Sequence, residues 1–192
     1  MAETPGPTPQ PTAPTDPRIG RVLQDRYRIT GIIAAGGMGI VYRAERIGLG
    51  RVVAIKFLHA TMARDPLVAR RFEVEARAMS RLHHPNCIGV LDFGVDDLPY
   101  VVIDHASGES LDVLIEQGPM APRRAIKIAR QILSALSHAH AHGIIHRDIK
   151  PENIVVEQNP GLADHVRLLD FGLAKLTGTD LGLTAGLAVG TP

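Results

Sequence analysis

Asp148, Lys150 and Asn153 stand close together in the stretch "IIHRDIKPENIVV", residues 144–156. An acid, a base and an amide share one short loop between two apolar runs. Burying such groups beside a core is costly unless something pairs them. Downstream, "NIVVEQNPGLADHVRLL" reads as a β-hairpin with Asn-Pro-Gly turn residues in its middle. Asn153 immediately precedes the first strand of that hairpin, and Asp170 immediately follows the second. Antiparallel pairing brings both to the same end. An amide oxygen and a carboxylate that converge suit a hard, oxygen-loving cation such as Mg²⁺. The loop carries Asp148 and Lys150 to the same place, so its polar residues face a metal-bound anion.

Phosphate is the anion that fits. "AAGGMGIV" supplies Gly36, Gly37 and Gly39 in a strand–turn–strand setting. Such a turn lets backbone N–H groups approach phosphate oxygens closely. It is not a Walker A loop, since no Gly-Lys-Ser/Thr follows. A glycine cluster alone most often marks an ordinary tight turn.

The elements that must hold these groups can be traced along the chain. Residues 1–18, "MAETPGPTPQPTAPTDPR", contain six prolines, four threonines and almost nothing apolar. That composition predicts a disordered or PPII-like tail. From Ile19 to about Ile103 the sequence reads as short strands with one helix. "YRITGIIAAGGMGIVYRAERIG" gives two strands around the glycines, "GRVVAIKFL" a third, and "CIGVLDFGV" and "LPYVVIDHA" two more. Asp65-Pro66 reads as an N-cap followed by Pro at the first helical position. That helix should run to about His83, before Pro85. From Ala106 the pattern turns helical, and Pro122 opens a long helix ending near Gly143. Its apolar positions are Ile126, Ala129, Ile132, Leu133, Leu136 and Ala139.

On the first helix, Val68, Phe72, Met79 and Leu82 form one apolar stripe, with Glu75 in its middle. A carboxylate on a core face needs a cationic partner. Lys56, at the end of "VVAIK", offers one. The alternative is a Glu75 that reaches solvent at an edge.

Bulk properties narrow the classes. The chain has 192 residues and a formal charge of +1, which favours neither a polyanion nor a membrane surface as partner. The single cysteine, Cys87, excludes an intramolecular disulfide and suits a reducing compartment. No apolar run approaches the ~20 residues that span a bilayer. A soluble, cytoplasmic protein is expected. His138 and His142, at i and i+4, have metal-binding spacing, but no cysteine or carboxylate joins them nearby, and a surface helix is preferred.

Taken together, "VAIK" (53–56), "HRDIKPEN" (146–153) and "DFG" (170–172) resemble the protein kinases in order and spacing. Lys150, two residues after Asp148, is similar to the Ser/Thr-specific branch. "GGMGIVYRA" and "HGIIHRDIKPENIVV" look most like the bacterial kinases of eukaryotic type. The resemblance covers roughly residues 19–192. It implies an α+β, bilobal fold, with a β-rich small lobe over 19–106 and part of a helical large lobe over 107–192. It implies ATP and Mg²⁺ as cofactors and proteins as substrates. Lys56 would hold the α/β-phosphates and pair with Glu75. Asp148 would accept or orient the substrate hydroxyl proton, and Lys150 would stabilise charge on the transferring phosphoryl group. Asn153 and Asp170 would hold Mg²⁺. Ala34, Gly36, Gly37, Gly39, Val41 and Ala54 would line the nucleotide site. Asp104 and Ala106 would offer backbone groups to adenine, with Ile103 as gatekeeper. Arg147 would pair with a phosphorylated activation loop, for which Thr177, Thr179 and Thr184 are the candidate autophosphorylation sites.

Two features depart from the family pattern. The first glycine of the phosphate loop is Ala34, which is tolerated if its φ is negative. The sequence stops at "VGTP", 189–192, within the activation segment and before any Ala-Pro-Glu motif. A partial read of a longer kinase domain is expected, with apolar surface left exposed on the helix over 122–143. The rival from another class is a non-catalytic module that binds nucleotide or a partner. A small-molecule phosphotransferase of the same fold is a third reading, against which "DIKPEN" and the "GTP" ending speak.

Overall fold

A computed structural model describes residues 16–37, 39–158 and 163–171. In chain order the strands are β1 (Val22–Leu23), β2 (Tyr27–Gly36), β3 (Gly39–Arg46), β4 (Arg51–Leu58), β5 (Val90–Val95), β6 (Pro99–Asp104), β7 (Glu109–Ser110), β8 (Ile154–Glu157) and β9 (His165–Leu168). The helices are α1 (Ala60–Ala63), α2 (Pro66–Met79), α3 (Leu111–Glu116) and α4 (Pro122–Ala141), with a 3₁₀ turn at Pro151–Asn153. Six strands form one antiparallel sheet in the order β1-β2-β3-β4-β6-β5, and β7-β8-β9 form a second.

Each element follows from local chemistry. Helix α2 starts where the sequence predicts, because the Asp65 side chain accepts a hydrogen bond from Leu67 N at 2.9 Å and Pro66 opens the helix. It ends at Met79, earlier than the expected His83, and Leu82 still packs into the core. Phe72 and Met79 are buried and Val68 packs partly against them, so the expected stripe is the core face. Burying one such side chain stabilises by roughly 1.5–3 kcal/mol.

Helix α4 is placed as expected, and Ile132, Leu136 and Ala139 of its expected stripe do face the core. Its buried positions are Ile128, Ala135 and Ala139, whereas Ile126 and Leu133 are 60% and 64% exposed. The sequence stripe therefore mixed two faces, since a helix with apolar residues on both sides gives no unique phase. The expectation of exposed apolar surface on this helix holds.

The six-stranded sheet is covered on both faces. On one side a core joins α2 to the second sheet and α4, through Ala76, Val101, Ile103, Ala135, Leu168 and Phe171. On the other, Tyr27, Tyr42, Phe57 and Tyr100 form a separate cluster, with Phe57 edge-on to Tyr42 at 5.6 Å. The chain before β1 closes that cluster. Tyr42 Oη donates to Asp16 Oδ2 at 2.8 Å, and the Arg18 guanidinium sits 4.8 Å over the Phe57 ring and pairs with Asp97. Asp16 and Arg18 thus have partners that the proline-rich composition does not reveal. The turn residues Asn159-Pro160-Gly161 lie outside the described residues, as does the rest of the tail.

Candidate active site

The hairpin of β8 and β9 pairs Ile154 with Leu168, which puts Asn153 and Asp170 at one end of it, as the sequence implies. Leu169 N also donates to Asn153 O at 2.8 Å, locking the two strand ends together. Above this end hangs the β2–β3 hairpin. Between them lies a cavity of about 400 Å³, lined by Ala34, Ala35, Gly36, Gly37, Gly39, Val41, Lys56, Asp148, Lys150, Glu152, Asn153 and Asp170. Ten of the residues anticipated from sequence therefore meet in one cleft.

The glycines are not equivalent. A Cβ built on Gly36 or Gly37 meets nothing within 4 Å, so the hairpin tip is open to a ligand. A Cβ on Gly39 would lie 1.8 Å from Phe57 O. Gly39 is thus required by the close approach of β3 to β4, a packing reason that the glycine pattern alone did not separate from ligand binding. Ala34 pairs with Val41 beside a register shift, and its φ is not in the left-handed region. Alanine there carries no backbone strain.

The loop below is fixed by its own side chains. Asn153 is buried and its Nδ2 donates to Asp148 O at 2.9 Å and to Asp148 Oδ2 at 3.0 Å. That orientation leaves Oδ1 as the amide atom for a cation. Lys150 Nζ lies 3.5 Å from Asp148 Oδ2. His146 is 1% exposed, donates from Nε2 to Leu169 O at 2.7 Å and stacks on Phe171 at 4.6 Å. Its Nδ1 faces Asp148 N at 3.4 Å. Burial holds the His146 pKa below its ordinary value, so the ring is a neutral strut with one donor and one acceptor. Arg147 and Asp170 both have left-handed φ, 63° and 50°. Such conformations cost of order 1–3 kcal/mol each and persist where surroundings over-determine them.

One pairing differs from expectation. Lys56, 7% exposed, pairs with Asp170 Oδ1 at 2.8 Å, not with Glu75. Glu75 sits half-buried on α2 with Oε2 lacking any hydrogen-bond partner among the described residues. Burial raises its pKa to about 7, opposed by the charges of Arg147 and Arg71. In this arrangement Asp170 holds the lysine, and the charges acting on Glu75 are those of Arg147 and Arg71.

The adenine-side residues lie outside the cavity lining. Ala54 is buried in the core and pairs with Ile103, itself 8% exposed. Ala106 packs against the same core. The Asp104 carboxylate is taken by Arg51 Nη2 at 2.6 Å and Arg167 Nη2 at 3.4 Å. Sequence reasoning missed both arginines, and it missed Ala35 and Glu152 in the cleft wall. Thr177, Thr179 and Thr184 lie outside the described residues. Among the described residues, no group of three or more His, Cys, Asp or Glu side chains could hold a metal. A cation at Asn153 and Asp170 would therefore draw its remaining ligands from phosphate and water, as Mg²⁺ does. His138 and His142 stack at 4.5 Å without a third ligand. Cys87 is buried, and desolvation pushes its thiol to about 11, as befits an inert core residue.

A strand-rich lobe that holds a glycine hairpin over Asn153 and Asp170, at the end of a second hairpin, is the protein kinase fold. The solved kinase domain of Mycobacterium tuberculosis PknI superposes with a TM-score of 0.68 at 28% identity, over 81% of this chain and 63% of that one. A family model for the protein kinase domain matches residues 27–191, and the chain belongs to that family. Its similarity runs to the bacterial serine/threonine branch. Serine/threonine-protein kinase pkn3 of Myxococcus xanthus is 45% identical over 188 residues, covering 94% of this chain and 34% of the relative. PknB of Mycolicibacterium smegmatis is 41% identical over 178 residues and PrkC of Bacillus subtilis 42% over 158. The chain spans 24–34% of the length of these relatives. No helix among the described residues is long and apolar enough to cross a membrane.

Proposed function

We propose that this chain carries the catalytic machinery of a cytoplasmic signalling kinase that transfers the γ-phosphoryl group of ATP to Ser or Thr hydroxyls of proteins. The observation that carries this is the convergence of Lys56, Asp148, Lys150, Asn153 and Asp170 on one cleft beneath an open glycine hairpin. Phosphoryl transfer asks a protein mainly for positioning and charge neutralisation. The open tips at Gly36 and Gly37 leave backbone N–H groups for phosphate oxygens. Lys56 neutralises the α/β-phosphates. Asp148, oriented by the Asn153 amide, takes the hydroxyl proton or aims the hydroxyl, and Lys150 offsets charge on the moving group. Mg²⁺, when bound, would supply further neutralisation, and Asn153 and Asp170 are the residues that would hold it. Asp104 and Ala106 present backbone groups to adenine. Autophosphorylation at Thr177, Thr179 or Thr184 would give Arg147 its phosphate partner.

A second reading, a non-catalytic nucleotide- or partner-binding module, is favoured by one observation. Lys56 is held by Asp170 while Glu75 stands apart, so the arrangement with a Lys56–Glu75 pair is not the one present. The two readings separate on Lys56→Met in a transfer assay with Mg·ATP and a generic acceptor protein. A kinase loses transfer in that variant. A binding module shows none in either protein.

A further inference from the structure

The chain that crosses from the six-stranded sheet to the second one is short. Asp104 still belongs to the first: it pairs with Val53, and its N–H donates to Gly89 O at 2.9 Å. Glu109 and Ser110 already belong to the second, as β7 against Val156 and Val155 of β8. Ala106, whose backbone the proposed function offers to adenine, lies between. Among the described residues, neither backbone group of Ala106 has a hydrogen-bond partner. Groups that must meet a flat ring at set spacing need the chain on both sides of them to be held.

On the side of the first sheet the ladder holds it. On the other side a side chain does. Beyond Glu109 the pairing with β8 stops, and Ser107 N donates to Glu157 Oε1 at 3.0 Å. Glu157 is the last residue of β8 and pairs with His165 of β9, so its backbone is fixed within the second sheet. Gly108 brings the two chains together: a Cβ there would lie 2.2 Å from Val156 O and 2.7 Å from Glu157 N. Only a residue without a side chain permits that approach, which keeps Ser107 within reach of the glutamate. Glu157 also acts on His105. Burial, aided by the charge of Arg43, holds the His105 pKa below its ordinary value, and the Glu157 carboxylate opposes this. The carboxylate thus stands beside both neighbours of Ala106. Neither Glu157 nor Ser107 lines the cleft, and the chemistry of transfer gives this carboxylate no work.

We propose that Glu157 is a positioning residue for the nucleotide: by holding Ser107 N it fixes the far end of the crossing, so that the N–H and C=O of Ala106 stand ready for the edge of the base. Glu157 itself touches no part of the nucleotide. Without it the segment takes conformations in which Ala106 does not face the ring, and binding must then bear the cost of ordering it. This role rests on the function proposed above.

Wild type, Glu157→Ala and Glu157→Gln test it as full chains, since the amide oxygen of glutamine can still accept from Ser107 N. Calorimetric titration of Mg·ATP and, separately, of adenosine reads the base end with and without the phosphates. Glu157→Ala should weaken both ligands by the same factor, about three- to tenfold, on the scale of one net hydrogen bond. Glu157→Gln should bind both as wild type does. Amide exchange, followed by NMR without any ligand, should speed up at Ser107 in Glu157→Ala only. Unchanged affinities with faster exchange overturn the proposal, since the bond then serves local structure alone. A loss for ATP that adenosine does not share overturns it too, because the effect would lie at the phosphates. So does an equal loss in Glu157→Gln, which would make the charge, and not the bond, the cause. Wild type that binds neither ligand overturns the kinase reading and this role together, whereas the other adverse outcomes, with ATP bound by wild type, strike Glu157 alone.

Discussion

The front of the molecule and the seam behind it are built on different terms. In the cleft, side-chain charges pair around an open cavity: Lys56 with Asp170 at 2.8 Å and Lys150 with Asp148 at 3.5 Å. In the seam, backbone groups and a buried amide join the elements, with Asn86 bonded to Gln131 Oε1, Val166 O and Leu168 N. On the proposed function the front holds its charges for a ligand, and change there should cost little stability. The seam holds shape, and a lost partner there leaves a buried group unpaired. Function and stability should therefore separate under mutation.

The largest effect is expected in front. Lys56→Met should lower γ-phosphate transfer by about 10²–10³-fold, the scale for removing one preorganised charge from a transition state. Its melting temperature should move little, since Met refills the buried stem of the lysine and the Asp170 side chain, 29% exposed, keeps access to water. A large loss of stability with transfer retained would reverse the comparison.

Gly39 sharpens the contrast, because it sits in the front and obeys the rules of the seam. Gly39→Ala drives a methyl into Phe57 O and should cost about 3 kcal/mol in unfolding free energy. Gly36→Ala, with open space around it, should stay within about 0.5 kcal/mol. Chemical denaturation of the pair checks this, and equal costs would mean that the glycine hairpin is governed by one requirement throughout.

Within the seam, Asn86→Ala removes a buried amide and leaves Val166 O and Gln131 Oε1 without its bonds, at about 2 kcal/mol, while the backbone bond to Leu168 N stays. Urea unfolding measures it. Nucleotide affinity should be affected less than in any cleft variant.

The smallest effect is a pH dependence at Glu75. Its folded pKa, about 7, lies above the ordinary 4.5 of a glutamate, because burial disfavours the charge. The folded form thus binds the proton more tightly. The associated stability is present below pH 4.5 and is lost as pH rises toward 7. Glu75→Gln should flatten that slope and gain on the order of 1 kcal/mol at pH 8, after screening by Arg147 and Arg71. An unaltered slope would place Glu75 against a cation.

Much of this was legible in the sequence for physical reasons. Strand ends carrying Asn153 and Asp170 converge because antiparallel pairing leaves no other choice, and Asp65-Pro66 announces α2 through its cap. The orientation of α4 was only partly legible, since apolar residues occur on both of its sides: Ile132, Leu136 and Ala139 face the core and Ile126 and Leu133 do not. The partner of Lys56 was not legible either. Composition identifies a lysine and two carboxylates, but their separations depend on how α2 packs, which is a tertiary property. Asp104 was anticipated for its backbone, yet its carboxylate is satisfied by Arg51 and Arg167, which lie 53 and 63 residues away in sequence.

The most direct test of the central claim is transfer of labelled γ-phosphate from Mg·ATP to the protein itself and to a generic acceptor, comparing wild type with Asp148→Asn. Transfer by wild type that the variant abolishes is the predicted result. Equal transfer by both would remove Asp148 from the chemistry, and with it the assignment of this cleft as the site of phosphoryl transfer.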